Sequence, residues 1–294
     1  DFFKSLLEDE NITTAGLVHK LGIPRAHLGR ILKFFEGFLQ PKSYYVQLLS
    51  QHKEPLSHIL RSENVIDKKD FSRKLLQIFS EIEKERPHPK RELDQFLANP
   101  ETMVKRALYL HKNNEIYKRK VLLLGDDDLT SVAISLLNTA DKIQVVDIDE
   151  EVLTNLQKIV KKYNLPVEIS QADFRTDKLE NLKEQFDLIF TDPPYTTAGI
   201  SLFLDRAISS IQLRNSSSIY FCYGNSSRAT ERTLAVQKDV LSKGLVLTSI
   251  EKNFNQYTGA DSIGNGSSLY GCVVTPSIKV PKLNKKAERI YTYE

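Results

Sequence analysis

Residues 121–131 read Val-Leu-Leu-Leu-Gly-Asp-Asp-Asp-Leu-Thr-Ser, and this stretch decides the fold. Its apolar start predicts a short strand that is buried on both faces, as is typical of parallel sheets. The helical pattern TSVAISLLN follows at residues 130–138. The stretch therefore predicts a strand, a turn and a helix, and ligands of such sheets bind beyond the carboxyl ends of the strands.

The same alternation continues towards the carboxyl terminus. Further apolar runs, most of them separated by amphipathic helical stretches, occupy residues 142–149, 166–173, 186–192, 217–224, 244–254 and 268–276. Strands separated by helices predict parallel βαβ units with helices on both faces of the sheet. The last two runs have no long helix between them and are predicted to pair antiparallel. The fold class is therefore α/β, and its count and ending resemble the Rossmann-like seven-stranded sheet of class I S-adenosylmethionine-dependent enzymes.

The charged segment 81–101 contains three prolines and is a candidate domain junction. We therefore predict a small N-terminal helical domain at residues 1–85 and a Rossmann-like catalytic domain at residues 86–294. Within the first domain, Thr13 or Thr14 is a candidate helix cap and Gly22 a candidate turn.

A second short helix begins near Pro24, so the two helices predict a helix-turn-helix, and residues 38–50 can supply a small wing. If the module binds DNA, Arg25, His27 and Arg30 face the major groove. Only a few cations lie on that face, and the alternative is a packing or dimerisation module.

Aspartates follow four consecutive predicted strands. Because the carboxyl ends of parallel strands meet at one crevice, these side chains are expected to converge. They are Asp126, Asp127 and Asp128 after the first strand, Asp147 and Asp149 after the second, Asp173 after the third and Asp192 after the fourth.

Each aspartate has a structural and a functional interpretation. Asp128 alone fits a helix cap, but three adjacent carboxylates repel one another unless a cation is bound, so they predict a cationic ligand. Asp147 matches the position that accepts hydrogen bonds from a ribose. Asp149 contributes to the same donor site or caps the next helix, and Asp173 receives an adenine amine or is an ordinary loop residue.

The first turn lacks the G-x-G-x-x-G pattern of dinucleotide-binding folds and keeps only Gly125. Three carboxylates in its place would repel a pyrophosphate, which argues against NAD and FAD. They would equally repel the methionine carboxylate of S-adenosylmethionine. Decarboxylated S-adenosylmethionine, which retains the adenosine and the sulfonium, fits the acidic turn better. The hypothesis depends on carboxylates that the protein's own lysines and arginines do not neutralise.

Residues 192–195 read Asp-Pro-Pro-Tyr. Enzymes that methylate amino groups of planar substrates use this pattern, with the aromatic ring stacked on the substrate. With a flexible aliphatic amine, Asp192 can instead orient the amine and accept its proton, while Tyr195 walls the site by cation–π contact. The structural alternative is a Pro-Pro turn that only ends the strand.

Residues 254–266 join the last two predicted strands and are rich in glycine and polar side chains. A loop of this length at the ligand end is often a lid. Tyr257 and Asp261 are candidates to close on a bound polyamine, and a solvent-exposed connector is the alternative.

The composition is that of an ordinary globular chain of 294 residues with a net charge of +3, which excludes collagen-like and mostly disordered classes. Cys222 and Cys272 lack metal-ligand spacing and suggest buried thiols in a reducing compartment. Because no apolar run is long enough for a membrane span, we expect a cytoplasmic protein. The first residue is Asp rather than Met, so we expect an N-terminal piece to be missing from this numbering.

Several motifs resemble those of the branched-chain polyamine synthases, the N(4)-bis(aminopropyl)spermidine synthase family. They are RPHP, DQF and PET within residues 86–102, and LLLGDDDLTS, VVDIDEE, FDLIFTDPPYTTAGISLFLDRAI and RIYTYE further along the chain. The resemblance implies transfer of aminopropyl groups from decarboxylated S-adenosylmethionine to an internal nitrogen of spermidine, with release of methylthioadenosine. In that family the residue after Asp-Pro-Pro is usually acidic, whereas Tyr195 occupies the position in this chain, so the acceptor amine stays open.

We therefore predict an aminopropyltransferase with catalytic residues Asp126, Asp192 and Tyr195. The donor-binding residues are Gly125, Asp126, Asp128, Asp147, Asp149 and Asp173, and the acceptor-binding residues are Asp127, Asp192, Tyr195, Tyr257 and Asp261. We expect no metal, no tightly bound cofactor, and a homodimer. One alternative is an S-adenosylmethionine-dependent N-methyltransferase acting on nucleic acid; another is a DNA-binding regulator whose sheet domain senses a polyamine.

Overall fold

The structure of the protein is a computed structural model that describes residues 1–40, 44–62, 68–177, 179–224, 230–260, 264–281 and 289–292. The chain divides into two compact units, Asp1–Asp67 and Lys68–Glu294. The first unit holds helices α1 (Phe2–Glu8), α2 (Thr14–Leu21), α3 (Arg25–Phe34) and α4 (Ser50–Ser62).

The second unit begins with two helices and continues as alternating strands and helices. In chain order it holds α5 (Lys68–Ile82), α6 (Pro100–Lys112), β1 (Lys120–Leu124), α7 (Thr130–Leu136), β2 (Lys142–Asp147), α8 (Glu150–Tyr163), β3 (Val167–Gln171), β4 (Leu188–Thr191), α9 (Thr197–Ser210), β5 (Ser218–Tyr223), α10 (Thr230–Ser242), β6 (Leu245–Gln256) and β7 (Gly266–Val274).

The first unit contains the predicted pair of short helices. The Thr13 hydroxyl accepts a hydrogen bond from the backbone N of Gly16 at 3.1 Å and so caps α2. Gly22 ends that helix in the left-handed region at φ 63°, and α3 begins directly after Pro24. Leu39 and Leu48 form a single antiparallel bridge. Because residues 41–43 lie outside the described residues, the wing stays a prediction.

The division between the two units falls earlier than the predicted boundary at residue 85. Helix α5 packs against α6 and α7, so it belongs to the second unit. Its apolar side chains Phe71, Leu75, Ile78 and Phe79 are buried. Spacings of three and four residues are typical of a helix, but they do not reveal which unit covers its apolar face.

The seven strands form one sheet in the order β3-β2-β1-β4-β5-β7-β6, which confirms the predicted α/β fold. The first five strands are parallel, and β7 is antiparallel to both β5 and β6. Strand β1 lies between β2 and β4, so Leu124 pairs with Val146 on one side and Thr191 on the other. The carboxyl ends of these three strands therefore lie side by side, where the strand order reverses.

Helices cover both faces of the sheet, so its central strands are buried. Residues 121–124 of β1 are fully buried, as are the side chains of β4 and β5. Among the described residues, no helix has both the length and the apolar character needed to cross a bilayer.

Candidate active site

The three aspartates of the acidic turn after β1, Asp126 to Asp128, have side chains that point in different directions. Gly125 adopts φ 75°, a left-handed conformation that favours glycine, and the Asp126 side chain then turns towards the start of α7. Both the backbone N and the hydroxyl of Ser131 donate hydrogen bonds to the Asp126 carboxylate. Burial raises the pKa of Asp126 to about 8. Asp126 therefore stabilises the first turn of α7, and the catalytic and donor-binding roles that the sequence predicts for it stay predictions.

Asp128 is neutralised by the protein itself. Its Oδ2 accepts a hydrogen bond from Nη1 of Arg106 at 2.7 Å, and its Oδ1 accepts one from the backbone N of Ala98 at 2.5 Å. Arg106 comes from α6 and is fully buried. The expectation that only a cationic ligand can relieve the repulsion within the acidic turn is therefore wrong for Asp128.

The same arginine holds Asp192 at the end of β4. Arg106 Nη2 donates to Asp192 Oδ2 at 2.7 Å, and the hydroxyl of Tyr257 donates to the same oxygen at 2.6 Å. Burial raises the pKa of Asp192, although the Arg106 guanidinium opposes this shift. The Asp192 side chain is 13% exposed, so it remains accessible from the crevice.

Tyr195 stands in an aromatic wall next to Asp192. Its ring stacks on that of Tyr223 at 6.0 Å between centroids and meets the edge of Phe96 at 6.4 Å. Burial raises the pKa of Tyr195 well above its usual value, with a further contribution from the charge of Asp192. The Tyr195 phenol is therefore neutral at physiological pH and presents a ring rather than a charge.

The two aspartates that follow β2 have different surroundings. Asp147 Oδ2 accepts from the backbone N of Asp126 and Asp147 Oδ1 from that of Asp149, both at 2.9 Å. Asp149 caps α8 by accepting from the backbone N of Glu151 at 3.0 Å. It also accepts from Lys90 Nζ at 2.7 Å and from Gln95 Nε2 at 3.0 Å. Burial by itself would raise the pKa of Asp149. The hydrogen bonds from Lys90 and Gln95 outweigh this and hold the pKa of Asp149 below its usual value.

Asp173 lies in the loop after β3 and forms an ion pair with Arg175 at 2.8 Å. Burial by itself would raise the pKa of Asp173, but the hydrogen bonds from Arg175 outweigh it and lower that pKa. The neighbouring Phe174 packs edge-on against Phe203 at 4.9 Å between ring centroids. The loop after β3 thus presents both a carboxylate and an aromatic surface.

A cavity, which we call the first cavity, opens at the carboxyl ends of β1, β2 and β4. Its described lining includes no lysine, arginine or histidine; it consists of Leu93, Gln95, Gly125, Asp127, Asp147, Ile148, Asp173, Phe174, Asp192, Pro194, Phe203, Ile290 and Tyr291. Predicted donor residues Gly125, Asp147 and Asp173 lie in this cavity. The side chains of Asp126, Asp128 and Asp149 are held by the contacts described above and are not part of its lining.

A second cavity adjoins the first. It is lined by Leu93, Asp94, Gln95, Phe96, Asp127, Asp192, Tyr195 and Tyr257. The shared residues Leu93, Gln95, Asp127 and Asp192 place two carboxylates at the junction. Of the predicted acceptor residues, Asp127, Asp192, Tyr195 and Tyr257 come together in this cavity, while Asp261 lies outside the described residues.

Asp127 is the carboxylate of the acidic turn that faces both cavities. Burial raises its pKa well above the usual value, and the charges of Asp128, Asp147 and Asp192 add to the shift. Its main-chain carbonyl accepts a hydrogen bond from Nη2 of Arg86 at 2.9 Å. Among the described side chains, neither Asp127 nor Asp147 forms an ion pair with a basic residue, although the Arg86 guanidinium is close enough to Asp127 to oppose the rise of its pKa.

The segment 289–292 packs beside both cavities. Ile290 and Tyr291 line the first cavity, and Arg175 lies over the Tyr291 ring at 5.6 Å. The backbone N and the hydroxyl of Thr292 both donate to Asp94 Oδ2 at 2.9 Å. This segment therefore links the lining of the first cavity to a carboxylate of the second.

Replacing Gly199 by Ala is expected to lower the free energy of unfolding by about 1–3 kcal/mol. A Cβ atom at position 199 would lie 2.7 Å from the carbonyl oxygen of Ile290 and 2.8 Å from Pro194 Cβ. Because backbone must move to relieve the first contact, urea unfolding should report the loss. The control is Gly29→Ala in α3, whose new methyl group meets nothing within 4 Å. Equal stability of both variants would contradict this packing.

Sequence reasoning missed the residues that organise the site from outside the strand ends. They are Lys90, Asp94, Gln95, Phe96, Arg106 and Arg175. The motif DQF at 94–96 was the available signal for three of them. Arg106 lies in an amphipathic helix pattern in which a single arginine predicts a solvent-exposed position. Among the described residues, no group of three or more His, Cys, Asp or Glu side chains is arranged to hold a metal ion.

Comparison with known proteins gives a consistent result. Residues 74–293 match the family model described as the branched-chain polyamine synthase A C-terminal domain. The chain is 34% identical over 185 residues to an N(4)-bis(aminopropyl)spermidine synthase of Methanocaldococcus jannaschii, covering 62% of this chain and 53% of that protein. It is 33% identical over 190 residues to the enzyme of the same name from Thermococcus kodakarensis, covering 64% and 54%. The chain thus spans about half the length of these curated relatives.

The crystal structure of the Thermus thermophilus branched-chain polyamine synthase shares the fold. It was solved with N4-aminopropylspermidine and 5'-methylthioadenosine, and it superposes with a TM-score of 0.65 at 19% identity. The superposition covers 98% of this chain and 89% of that one. With the family match over residues 74–293, these findings establish that the chain belongs to the branched-chain polyamine synthase family.

Proposed function

We propose that this protein is an aminopropyltransferase that moves an aminopropyl group from decarboxylated S-adenosylmethionine to a nitrogen of a polyamine and releases methylthioadenosine. The observation that carries the proposal is the junction of two cavities at Asp127 and Asp192. A transfer between two substrates needs two sites that meet at the reacting atoms. Family membership and the two curated N(4)-bis(aminopropyl)spermidine synthases support the same reaction.

The first cavity suits the adenosine and sulfonium of the donor. Asp147 lies at the end of β2, where an acidic side chain commonly accepts hydrogen bonds from a ribose. Phe174 and Phe203 offer an apolar surface for the adenine, with Asp173 beside them. The donor's cationic arm then extends towards Asp127. A donor carrying a carboxylate would meet this acidic side of the cavity and be repelled.

The second cavity suits a polyamine. Asp94, Asp127 and Asp192 provide carboxylates for ammonium groups, and the rings of Phe96 and Tyr195 provide surfaces for methylene chains and for cation–π contact. Since no basic residue is among its described lining, a polycation enters without repulsion. The length of polyamine that the second cavity holds beyond Asp192 determines which nitrogen lies at the junction, and therefore the acceptor nitrogen and the number of transfers.

The chemical step is a nucleophilic substitution. The lone pair of the acceptor nitrogen forms a C–N bond with the propyl carbon attached to sulfur. The C–S bond breaks, its electron pair stays on sulfur, and neutral methylthioadenosine leaves. Asp192 orients the amine and takes up the proton that the nitrogen loses. The rate gain comes from alignment of the two substrates and from carboxylates that match their positive charge.

Replacing Asp147 by Ala is expected to raise KM for the donor by about 10–100-fold with a smaller change in kcat. The variant removes a hydrogen-bond acceptor from the donor, and bonds to charged groups contribute about 1.5–3 kcal/mol. Initial rates at varied donor concentration measure the effect. Asp141→Ala, at the exposed start of β2, is the matched control. A change confined to KM for the polyamine would contradict the placement of the donor.

The purified protein can be tested with spermidine and other linear polyamines together with both sulfonium donors. Mass spectrometry should find products heavier by one or more aminopropyl groups, together with methylthioadenosine. A methylated nucleic acid formed from intact S-adenosylmethionine would instead support the alternative N-methyltransferase. Absence of methylthioadenosine with every polyamine would contradict the proposal. A homodimer, a cytoplasmic location and DNA binding by the first unit stay predictions.

A further inference from the structure

The buried guanidinium of Arg106 connects three parts of the second unit. It reaches Asp128 after β1 and Asp192 after β4 through separate nitrogens, each at 2.7 Å. Its Nε donates to Asn255 Oδ1 of β6 at 2.8 Å. The guanidinium plane therefore has a fixed position and orientation relative to the strand ends.

Asp128 binds this arginine rather than a ligand. Both of its carboxylate oxygens accept hydrogen bonds from protein donors, Arg106 and the backbone of Ala98, and the side chain is 3% exposed. A buried arginine without partners would be strongly unfavourable, so a second carboxylate is needed to hold it in place when Asp192 engages a substrate.

The two oxygens of Asp192 are in different situations. Oδ2 accepts hydrogen bonds from Arg106 and from Tyr257, whereas Oδ1 accepts none from the described residues. Asp192 also lies at the junction of the two cavities. Because Oδ2 is held from behind by two donors, the remaining oxygen has a defined direction towards the junction.

We infer that Arg106 is a positioning residue that anchors Asp192 through Oδ2 and presents Oδ1 to the attacking amine, with Asp128 as the counter-anchor. The inference rests on the proposed aminopropyl transfer. It assigns the third aspartate of the acidic turn to support of the catalytic carboxylate. One arginine shared by two carboxylates also leaves a net negative charge, which a cationic substrate balances.

The charges around Asp192 agree with this role. Burial raises the pKa of Asp192, and Arg106 is the cation that opposes the shift. The other titratable groups that face Asp192 are acidic or neutral: Asp127, Asp128, Tyr195, Cys222 and Tyr257. Loss of the arginine therefore leaves no described cation in direct contact, and the carboxylate would be protonated at a higher pH.

The test compares four variants with the wild type: Arg106→Gln, Arg106→Lys, Tyr257→Phe and the double variant Arg106→Gln/Asp128→Asn. For each, kcat and both KM values for methylthioadenosine release are measured between about pH 5 and about pH 10. Thermal unfolding reports whether the variant is folded. Spermidine binding is followed by calorimetry over the same range, so the charge state of the site is also read without turnover.

Arg106→Gln is expected to move the acidic limb of kcat upward by about 1–3 pH units, because loss of a nearby opposite charge has this effect on a carboxyl pKa. Tyr257→Phe should shift it in the same direction by less, and Arg106→Lys should retain part of the wild-type profile. The double variant removes both charges of the buried pair. It should recover thermal stability but keep the shifted acidic limb, because Asp192 still lacks its cation.

A wild-type pH profile in the double variant would overturn the inference, since Arg106 would then only neutralise Asp128. If Arg106→Gln does not fold, Arg106→Lys, Tyr257→Phe and the double variant still decide the question. An inactive wild type would contradict the proposed function instead. In that case the inference still requires that, as the pH is lowered, the variants lose spermidine binding at a higher pH than the wild type does. Identical binding profiles would refute it.

Discussion

Asp192→Asn is expected to reduce kcat for methylthioadenosine release by about 10²–10⁴-fold, the usual contribution of a positioned acid or base. Asparagine has nearly the same shape and can keep a hydrogen bond from Arg106, but it cannot take up the proton of the attacking amine. KM for the donor should change little, because the proposed contacts of the donor's ribose and adenine are with other residues. Steady-state rates with spermidine as acceptor measure the loss.

The matched control for this variant lies at the other end of the same strand. Asp187 directly precedes β4 and accepts a hydrogen bond from the backbone N of Lys120 at 3.0 Å. Asp187→Asn removes the same charge at the edge of the sheet opposite the cavities and should leave turnover near the wild-type value. Full turnover of Asp192→Asn, with a folded protein, would show that Asp192 does not take part in the step.

Asp127→Asn is expected to raise KM for both substrates by about 10–100-fold and to reduce the preference for the decarboxylated donor. Asp127 lines both cavities and forms no described ion pair, so its carboxyl is available to the substrates, and a bound ammonium group favours its ionised form. A hydrogen bond to a charged group contributes about 1.5–3 kcal/mol, which corresponds to this range. The measurement is kcat/KM for each donor at fixed spermidine.

Asp141→Asn serves as the control, because it removes an exposed carboxylate before β2. A loss of affinity for the polyamine alone would restrict Asp127 to the second cavity. An unchanged ratio of the two donors in Asp127→Asn would mean that the acidic turn does not select the donor, and the proposed basis of donor preference would then be wrong.

The fold was predictable because the apolar composition of the strands indicates that they are buried. Residues 121–124 and 218–223 are nearly continuous apolar runs, and only a sheet covered on both faces buries such strands. The alternation with helices predicted the parallel pairing, and the lack of a long helix between the last two strands predicted their antiparallel pairing. The boundary between the two units was harder to predict, since α5 has an apolar face that either unit could cover.

The candidate site residues that lie at the carboxyl ends of strands were predictable from the sequence. Asp147 and Asp192 lie at the crevice for this reason. The pairing of Asp128 with Arg106 and of Asp149 with Lys90 was not, because these contacts join segments 22 and 59 residues apart. Local sequence patterns carry no record of such contacts. Sequence alone therefore overestimated the uncompensated charge: among the described side chains, Asp128, Asp149, Asp173 and Asp192 form ion pairs, whereas Asp126, Asp127 and Asp147 do not.

Competition between the two donors tests the central claim most directly. The protein is incubated with spermidine and equal concentrations of decarboxylated and intact S-adenosylmethionine, and the released nucleosides are separated by chromatography. We predict methylthioadenosine and aminopropylated spermidine as the main products, with little or no S-adenosylhomocysteine and no polyamine that carries an aminocarboxypropyl group. Predominant release of S-adenosylhomocysteine would contradict this claim, because a donor with a carboxylate would then have been preferred by a cavity lined with aspartates.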